Sequence, residues 1–437
     1  MDLAWISLGA LIIAITLSMV TSVNVGVVSM AMAWVVGVYL GGMPVGKVVA
    51  NFPIDLLINL VGITLLFGMA NNNGTLGRIA ARAVRTCRGN AGVIPIMLFF
   101  IALGLSSMGP GNIATTAIMA PMAMAVAMRA AIPPFLMALM VGNGAQAGAL
   151  SRFAPTGLIV NTNMEKIGLA GHETQTFLNN LMAHVVVTFA AYFILGGWKL
   201  FTRRAAPPPD MAQSDQAGDH PTMQSPHGGG PGARADDAIE VEPFEGKHWL
   251  TIAILTAMVV SVLGFRAHVG LAALTGASIL SLLNAANEKE AVKKMPWGVI
   301  LMVCGVTVLI GVLAAQRGID LFTELLAGMA TPGTVSFVIA LVTGAVSVYS
   351  STSAVVLPAF LPTVPGLAER LNADPMDIAS SMNVGGHLVD LSPLSTIGAL
   401  CIAALPNEQD GKKLFNQLLA WGLSMMIVGA VICWVLF

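Results

Sequence analysis

The sequence predicts an all-α polytopic membrane protein made of two inverted repeats, each with five spans, one re-entrant hairpin and one broken helix. Three observations carry this. First, the 437 residues are 56% hydrophobic and only 10% charged, with a mean hydropathy of +0.80, whereas soluble chains carry about 25% charged residues. Second, the chain repeats itself. Pro134, Gly144, Leu150-Ser151 and Gly157 recur at one constant offset as Pro375, Gly385, Leu391-Ser392 and Gly398. At nearly the same offset Val25-Gly26, Ser106-Ser107 and Pro121 recur as Val269-Gly270, Ser350-Ser351 and Pro365, and Pro53, Gly62, Thr64 and Gly68 as Pro296, Gly305, Thr307 and Gly311. Third, the apolar segments of both copies are broken by Gly, Pro, Ser and Asn, as repeat-built secondary transporters require at their binding sites.

A span needs roughly 20 apolar residues. Such stretches fall near 4–20, 24–42, 54–72, 133–162 and 176–200, then near 248–265, 268–285, 296–315, 375–404 and 413–437. The first follows Met1-Asp2, with no basic segment ahead of it, and is expected to be retained as a span rather than cleaved. Between the third and fourth span of each copy lies an apolar stretch with a polar knot. These are 91–128, around Ser106 to Asn112, and 333–366, around Ser350-Ser351-Thr352-Ser353. No ionisable residue stands between Arg88 and Arg129, so both are expected to be hairpins that dip in and return, lining a cavity. Five crossings per copy is an odd number, which inverts the second copy relative to the first.

The domains expected are a first repeat at 1–204, a disordered linker at 205–247 rich in Pro, Gly, Ser and Asp, and a second repeat at 248–437. With this plan Lys47, Lys166, Arg266, Arg317 and Arg370 fall on one face. All other Lys and Arg among the 21 fall on the opposite face, except Arg152, which is left inside the membrane. The positive-inside rule makes the richer face cytoplasmic, with both termini outside and the protein in the cytoplasmic (inner) membrane. Amphipathic segments at 76–88 and 319–330 are expected to lie at the interfaces as arms.

Composition also excludes classes. A net charge of −1 offers no surface for nucleic acid. Cys87, Cys304, Cys401 and Cys433 show no CxxC spacing, and the seven histidines form no HExxH, so metal chemistry is not expected; His220 and His227 in the linker read as bystanders. No Ser/His/Asp set stands at workable positions, so an enzyme is not expected. A passive channel fits poorly, because the polar knots break helices instead of ringing a pore.

The four interruptions are the chemistry. A helix broken at mid-membrane exposes N–H groups that bind anions and C=O groups that, with hydroxyls, bind a hard cation. Candidate substrate contacts are Ser107, Gly109, Asn112, Ser151, Arg152, Ser351, Thr352, Ser392, Pro393, Ser395 and Thr396. Candidate ion contacts are Ser106, Ser107, Gly148, Ser350, Ser351 and Asp390. Small residues such as Gly62, Gly68, Gly305 and Gly311 read instead as close packing points. Arg152 occupies the place of Pro393 in the other copy, and Asp390 that of Ala149. Each costs roughly 2.5–3.5 kcal/mol at the bilayer centre. Arg152 either clamps a substrate carboxylate with its planar fork or pairs with Asp390. Gln146 and His387 form a similar symmetric pair, His387 reading as a buried, hydrogen-bonded side chain in preference to a proton relay.

The chain resembles MatC-type malonate/dicarboxylate carriers, within the ion-transporter superfamily that includes divalent anion:sodium symporters. Asn71-Asn72-Asn73-Gly74-Thr75, Met108-Gly109-Pro110, Met140 to Gly148 and Asp390 to Leu400 carry the resemblance. It implies an elevator mechanism in a homodimer, no organic cofactor, and coupling to Na⁺ or H⁺. Sodium-coupled members hold Na⁺ and substrate with Ser-Asn-Thr tips; here the serines and Thr352 carry over. The function expected is import of a small dicarboxylate, malonate-like or C4. The alternative is a transporter of another anion, arsenite or inorganic, on the same fold.

Overall fold

The computed structural model describes residues 2–21, 23–85, 90–202, 243–348, 350–405 and 408–437, and the elements they form are helices. The first half runs α1 (Leu3–Val20), α2 (Val25–Trp34, continued by a π-helical segment to Leu40), α3 (Val45–Val49), α4 (Ile54–Asn72), α5 (Thr75–Arg85), α6 (Val93–Met108), α7 (Gly111–Arg129), α8 (Pro134–Gly148), α9 (Pro155–Lys166) and α10 (Glu173–Ile194). The second half retraces that order. It runs α11 (Gly246–Phe265), α12 (Val269–Leu282), α13 (Glu288–Lys294), α14 (Trp297–Ala315), α15 (Gly318–Ala327) and α16 (Val335–Ser347). A π-helical segment, Thr352–Val356, then leads into α17 (Leu357–Phe360) and α18 (Val364–Leu371), followed by α19 (Pro375–Val389), α20 (Thr396–Ala403) and α21 (Glu408–Leu436).

Seven helical stretches among the described residues are long and apolar enough to cross a membrane. They include α10, α11, α14 and α21, and the second arms of both expected hairpins. Large apolar side chains on the outside, such as Ile194, Phe265 and Leu282 at 80% exposed or more, have no place in water and face lipid. This is a multi-pass membrane protein. The expected spans at 133–162 and 375–404 are each two helices, α8–α9 and α19–α20, with Pro134 and Pro375 at the first turn of α8 and α19. That position tolerates proline because its N–H would be unpaired anyway.

One expected boundary differs from the structure, and another falls outside the described residues. The linker was expected to run to Lys247, but α11 already begins at Gly246, because Glu245 and His248 form a reciprocal capping box. Lys247 hydrogen-bonds to Glu245 at 2.8 Å and holds its carboxyl below the usual carboxylate value. The rest of the linker, with His220 and His227, lies in the 203–242 stretch outside the described residues. The amphipathic segment 76–88 is helical as α5 to Arg85, and its end, with Cys87 and Arg88, also lies outside them. α5 buries Leu76 and Ala80 and lays Arg82 over the Phe244 ring at 4.0 Å.

The halves interlock at close crossings of α2 with α14 and of α4 with α12. A Cβ on Gly305 would stand 2.0 Å from the Gly26 carbonyl oxygen, and one on Gly62 would stand 2.3 Å from that of Gly270. Backbones this near exclude any side chain, which is why the same glycines stand in both copies. Gly68 is different, with its nearest neighbour at 3.7 Å. Around this frame α6 packs on α8, α16 packs on α19 and α21, and α10 bridges α8 and α19.

Overpacking a tight crossing costs on the order of 1–3 kcal/mol. Gly305→Ala is therefore expected to lower the thermal midpoint of the detergent-solubilised protein, while Gly68→Ala leaves it nearly unchanged. Equal midpoints for the two variants would refute the close-crossing account.

Candidate functional site

The two hairpin tips and the two helix breaks meet. The turn between α6 and α7 needs Gly109 at φ 145° and Gly111 at φ 73°, conformations that other residues strongly resist. Beside it the break between α8 and α9 is held by Ser151, whose hydroxyl donates to the Ser107 carbonyl at 2.6 Å. Ser107 itself donates to Leu103 O at 2.7 Å. Gly148 sits so near that an added Cβ would lie 2.5 Å from the Leu103 oxygen and 2.8 Å from Ser107 Oγ. Gly157 and Gly398 do the same work in the two breaks: an added Cβ would strike the carbonyl oxygen of Ser151 at 1.9 Å and of Ser392 at 2.2 Å. Each glycine lets the broken strand fold back over the start of the following half-helix.

One hydrogen-bonded chain crosses from one half to the other. Asn112, at the start of α7, donates to Gln146 Oε1 on α8 at 2.7 Å. Gln146 Nε2 in turn donates to Asp390 Oδ2 at 3.1 Å. Thr352, beside the second hairpin tip, donates to the other oxygen, Asp390 Oδ1, at 2.6 Å and stands 2.9 Å from Ser347 Oγ. Asn112, Gln146, Thr352 and Asp390 are all buried, at 5%, 0%, 0% and 7% exposed. A buried carboxylate is tolerated only with such partners. Ser395 closes the second break by donating to the Asp390 carbonyl.

Against this chain lies a cavity of about 220 Å³, lined by Asn112, Ile113, Met302, Ser350, Ser351, Ser353, Val355, Asp390, Leu394, Ser395, Thr396 and Ile397. Since a liquid water takes about 30 Å³, the space suits a small polar solute. Two helices start on its wall, α7 at Asn112 and Ile113 and α20 at Thr396 and Ile397. Neither start carries a side-chain cap from the residue before it. Both therefore turn the positive end of a helix dipole towards the space. Among the lining residues Asp390 alone is ionisable.

The structure thus gathers Asn112, Ser350, Ser351, Asp390, Ser395 and Thr396 around one cavity, with Thr352 behind Asp390. It does not gather the others there. Ser106, Ser107, Gly109, Gly148 and Ser151 form the seam between the first tip and the first break. Ser106 is buried with its hydroxyl unpartnered among the described residues. Ser392 accepts from Leu394 N at 3.3 Å and packs under Gly422, and Pro393 is buried beside it. The expected alternatives for Arg152 both need correcting for this arrangement. Its guanidinium does not reach Asp390, nor does it line the cavity. It faces Glu173 at 3.9 Å, with 45% of its side chain exposed, because it projects from the outer side of a loop whose inner side is taken by Ser151.

Sequence reasoning missed a set of buried polar residues on the neighbouring helices. Asn180 donates to the Gln146 carbonyl at 2.9 Å. His184 Nδ1 lies 2.9 Å from the Asn180 carbonyl oxygen, and His387, which the sequence did single out as buried and hydrogen-bonded, places its Nδ1 2.8 Å from the Asn383 carbonyl oxygen. These are buried, as is Asn143. The available signal was Asn180 and His184 one helical turn apart inside an apolar span, a spacing that places both on one face.

Comparison with known proteins gives a family match over part of the chain and a likeness of fold. Residues 1–149 match the family model described as the N-terminus of the dicarboxylate carrier protein MatC, a family of carriers and not of enzymes. That stretch contains α1 to α8, with the first tip, Asn112 and Gln146. No curated protein matches the chain. Among solved structures the chain is similar to the crystal structure of the Alcanivorax borkumensis YdaH transporter, described as having an unusual topology. The two are 16% identical, the likeness covers 89% of this chain and 87% of that one, and the TM-score is 0.53. The likeness is one of fold.

Thr352→Val keeps the shape but takes one partner from a buried carboxylate, a change worth on the order of 1–3 kcal/mol. The variant is expected to melt clearly below wild type in detergent, and a match to the wild-type midpoint would mean that the Thr352–Asp390 bond adds nothing.

Proposed function

We propose that the chain is a secondary active transporter of a small dicarboxylate, malonate-like or C4, driven by Na⁺ or H⁺ and working by elevator alternating access. One observation carries this: two helix starts that the preceding residue does not cap, and a ring of hydroxyls, share a small cavity with a single buried carboxylate. The helix starts and the hydroxyls of Ser350, Ser351 and Thr396 suit the two carboxylates of a dianion, with Asn112 and Ser395 beside them. Asp390 opposes that dianion. At an effective dielectric of 20 two unit charges 4 Å apart interact by about 4 kcal/mol, more than a helix end's 0.3–2 kcal/mol can offset. Binding therefore requires Asp390 to be neutralised first, by a proton or by Na⁺ held with Thr352 and the tip hydroxyls. Substrate and cation then bind together, which is the essence of symport. The matched carrier family supports the dicarboxylate class.

The element order, repeated with reciprocal crossings of α2 on α14 and α12 on α4, supports two inverted repeats. Each tip abuts a break halfway along a two-part helix, which supports re-entrant hairpins. The elevator reading makes the α6–α10 and α16–α21 groups the moving unit and the interlocked α2, α4, α12 and α14 the scaffold. A homodimer joined through the scaffold suits that motion, with the termini outside and the linker in the cytoplasm. Arg152 is left to Glu173 in this reading.

The test is uptake of labelled malonate and succinate by the purified protein in liposomes, under an inward Na⁺ or proton gradient. Wild type should accumulate a dicarboxylate under one of the two. Asp390→Asn should bind substrate without the cation and lose gradient-driven accumulation. No uptake by wild type of either acid would remove the substrate assignment, and full gradient dependence in the variant would remove Asp390 from coupling. The orientation has its own check. A cysteine placed at Gln216 should resist an impermeant thiol reagent added outside intact cells, and labelling there would reverse the topology.

A further inference from the structure

A second cavity, of about 600 Å³, opens where the start of α4, the end of α9, α14 and the base of the second hairpin meet. It is larger than the central cavity and displaced from it along α14. Met302 lines the central space, while Thr307 and Gly311 line this one, and a helix rises 1.5 Å per residue, so the two lie about 8 Å or more apart. Lys166, the last residue of α9, is on its wall and has no ion-pair or hydrogen-bond partner among the described residues. The other ionisable residue on the wall is Asp55. Its carboxylate is already engaged, with His268 Nε2 at 2.7 Å and Asn59 Nδ2 at 3.3 Å. The opposite wall is the start of α4, which Pro53 leaves without a side-chain cap.

The two cavities thus differ: the central one offers a carboxylate and, among the described residues, no cation, while this one sets an uncommitted ammonium beside a carboxylate that His268 and Asn59 already hold. A dianion entering this cavity meets an uncommitted cation before it reaches Asp390.

We propose that this cavity is a docking site for small dicarboxylate dianions, held by Lys166 on their way to the central site. The dicarboxylate class rests on the function proposed above; the site itself does not. In the orientation given by the charge asymmetry it is the outward vestibule. Lys166 binds one carboxylate by a charge-assisted hydrogen bond, the α4 start receives the other, and rocking of α9 against α4 and α14 passes the ligand inward.

The experiment measures acetylation of Lys166 by acetic anhydride in the full-length protein in lipid nanodiscs, read by peptide mass spectrometry. Malonate, succinate or sulfate is present at matched ionic strength. Malonate and succinate are expected to slow acetylation of Lys166 severalfold, in wild type and in Asp390→Asn alike, while Lys47 reacts at an unchanged rate. No slowing by either acid overturns the proposal. So does equal slowing by sulfate, which would mark a general anion patch, or slowing lost in Asp390→Asn, which would mean that Lys166 only senses the central site. Transport is measured alongside. Lys166→Gln should raise the Michaelis constant about tenfold with little change in maximal rate, the loss of one charge-assisted contact, and Lys166→Arg should restore it. Protection without any wild-type uptake would sink the transport reading and leave the docking site standing. Uptake with an unchanged constant in Lys166→Gln would sink the docking site alone.

Discussion

Every backbone N–H and C=O placed within a membrane must find a partner, because the surrounding hydrocarbon offers none. Four helical elements of this protein stop short inside the fold, and each stop frees several such groups. The structure answers by bringing all four stops to one place. Ser151 covers the Ser107 carbonyl, Ser395 covers that of Asp390, and the side chains of Asn112, Gln146, Asp390 and Thr352 run from one half of the molecule to the other. Some of these groups are satisfied within their own element, as by Ser395 and Ser351, and others only across elements. This mutual dependence explains why the interruptions recur together in both copies.

The same arrangement makes the site unequal despite its repeated plan. Where the second half has Asp390, the first has Ala149, and where it has the open tip of Ser350 and Ser351, the first has Ser106 and Ser107 sealed against Gly148. The first tip reaches the cavity only through Asn112 and Ile113, whereas the second opens onto it through Ser350, Ser351 and Ser353. In the function proposed above, a single carboxylate among hydroxyls and helix starts links charge to occupancy, and an anion and a cation that helix dipoles alone would not hold stabilise one another when both are present. In the proposed elevator the interlocked glycines suit a fixed frame, since backbones at van der Waals distance leave no room for repacking.

How much of this was legible beforehand depends on the residue. Gly157 and Gly398 were visible as a repeated pair, and their reason is equally local: each lies over the carbonyl of a serine six residues earlier. Asn112, Ser351 and Thr396 were named because polar residues at apolar interruptions have few other uses. Arg152 looked equally informative, being a charge in an apolar segment, yet it turns outward to Glu173. Asn180 and His184 passed unnoticed, because one Asn and one His in a long span look like tolerated exceptions until the facing helix is known.

Membrane class, the duplicated plan and the positions of the four breaks follow from the sequence by itself. Hydropathy, glycine and proline act within a few residues of where they stand, so their effects can be read along one dimension. Which breaks meet, which tip brings its serines to the cavity, and whether Asp390 faces an arginine or a glutamine were decided only by the tertiary structure. Those outcomes depend on the rotation and depth of helices such as α8 and α19, far apart in the chain. A turn of one residue about a helix axis is enough to exchange a buried partner for the solvent.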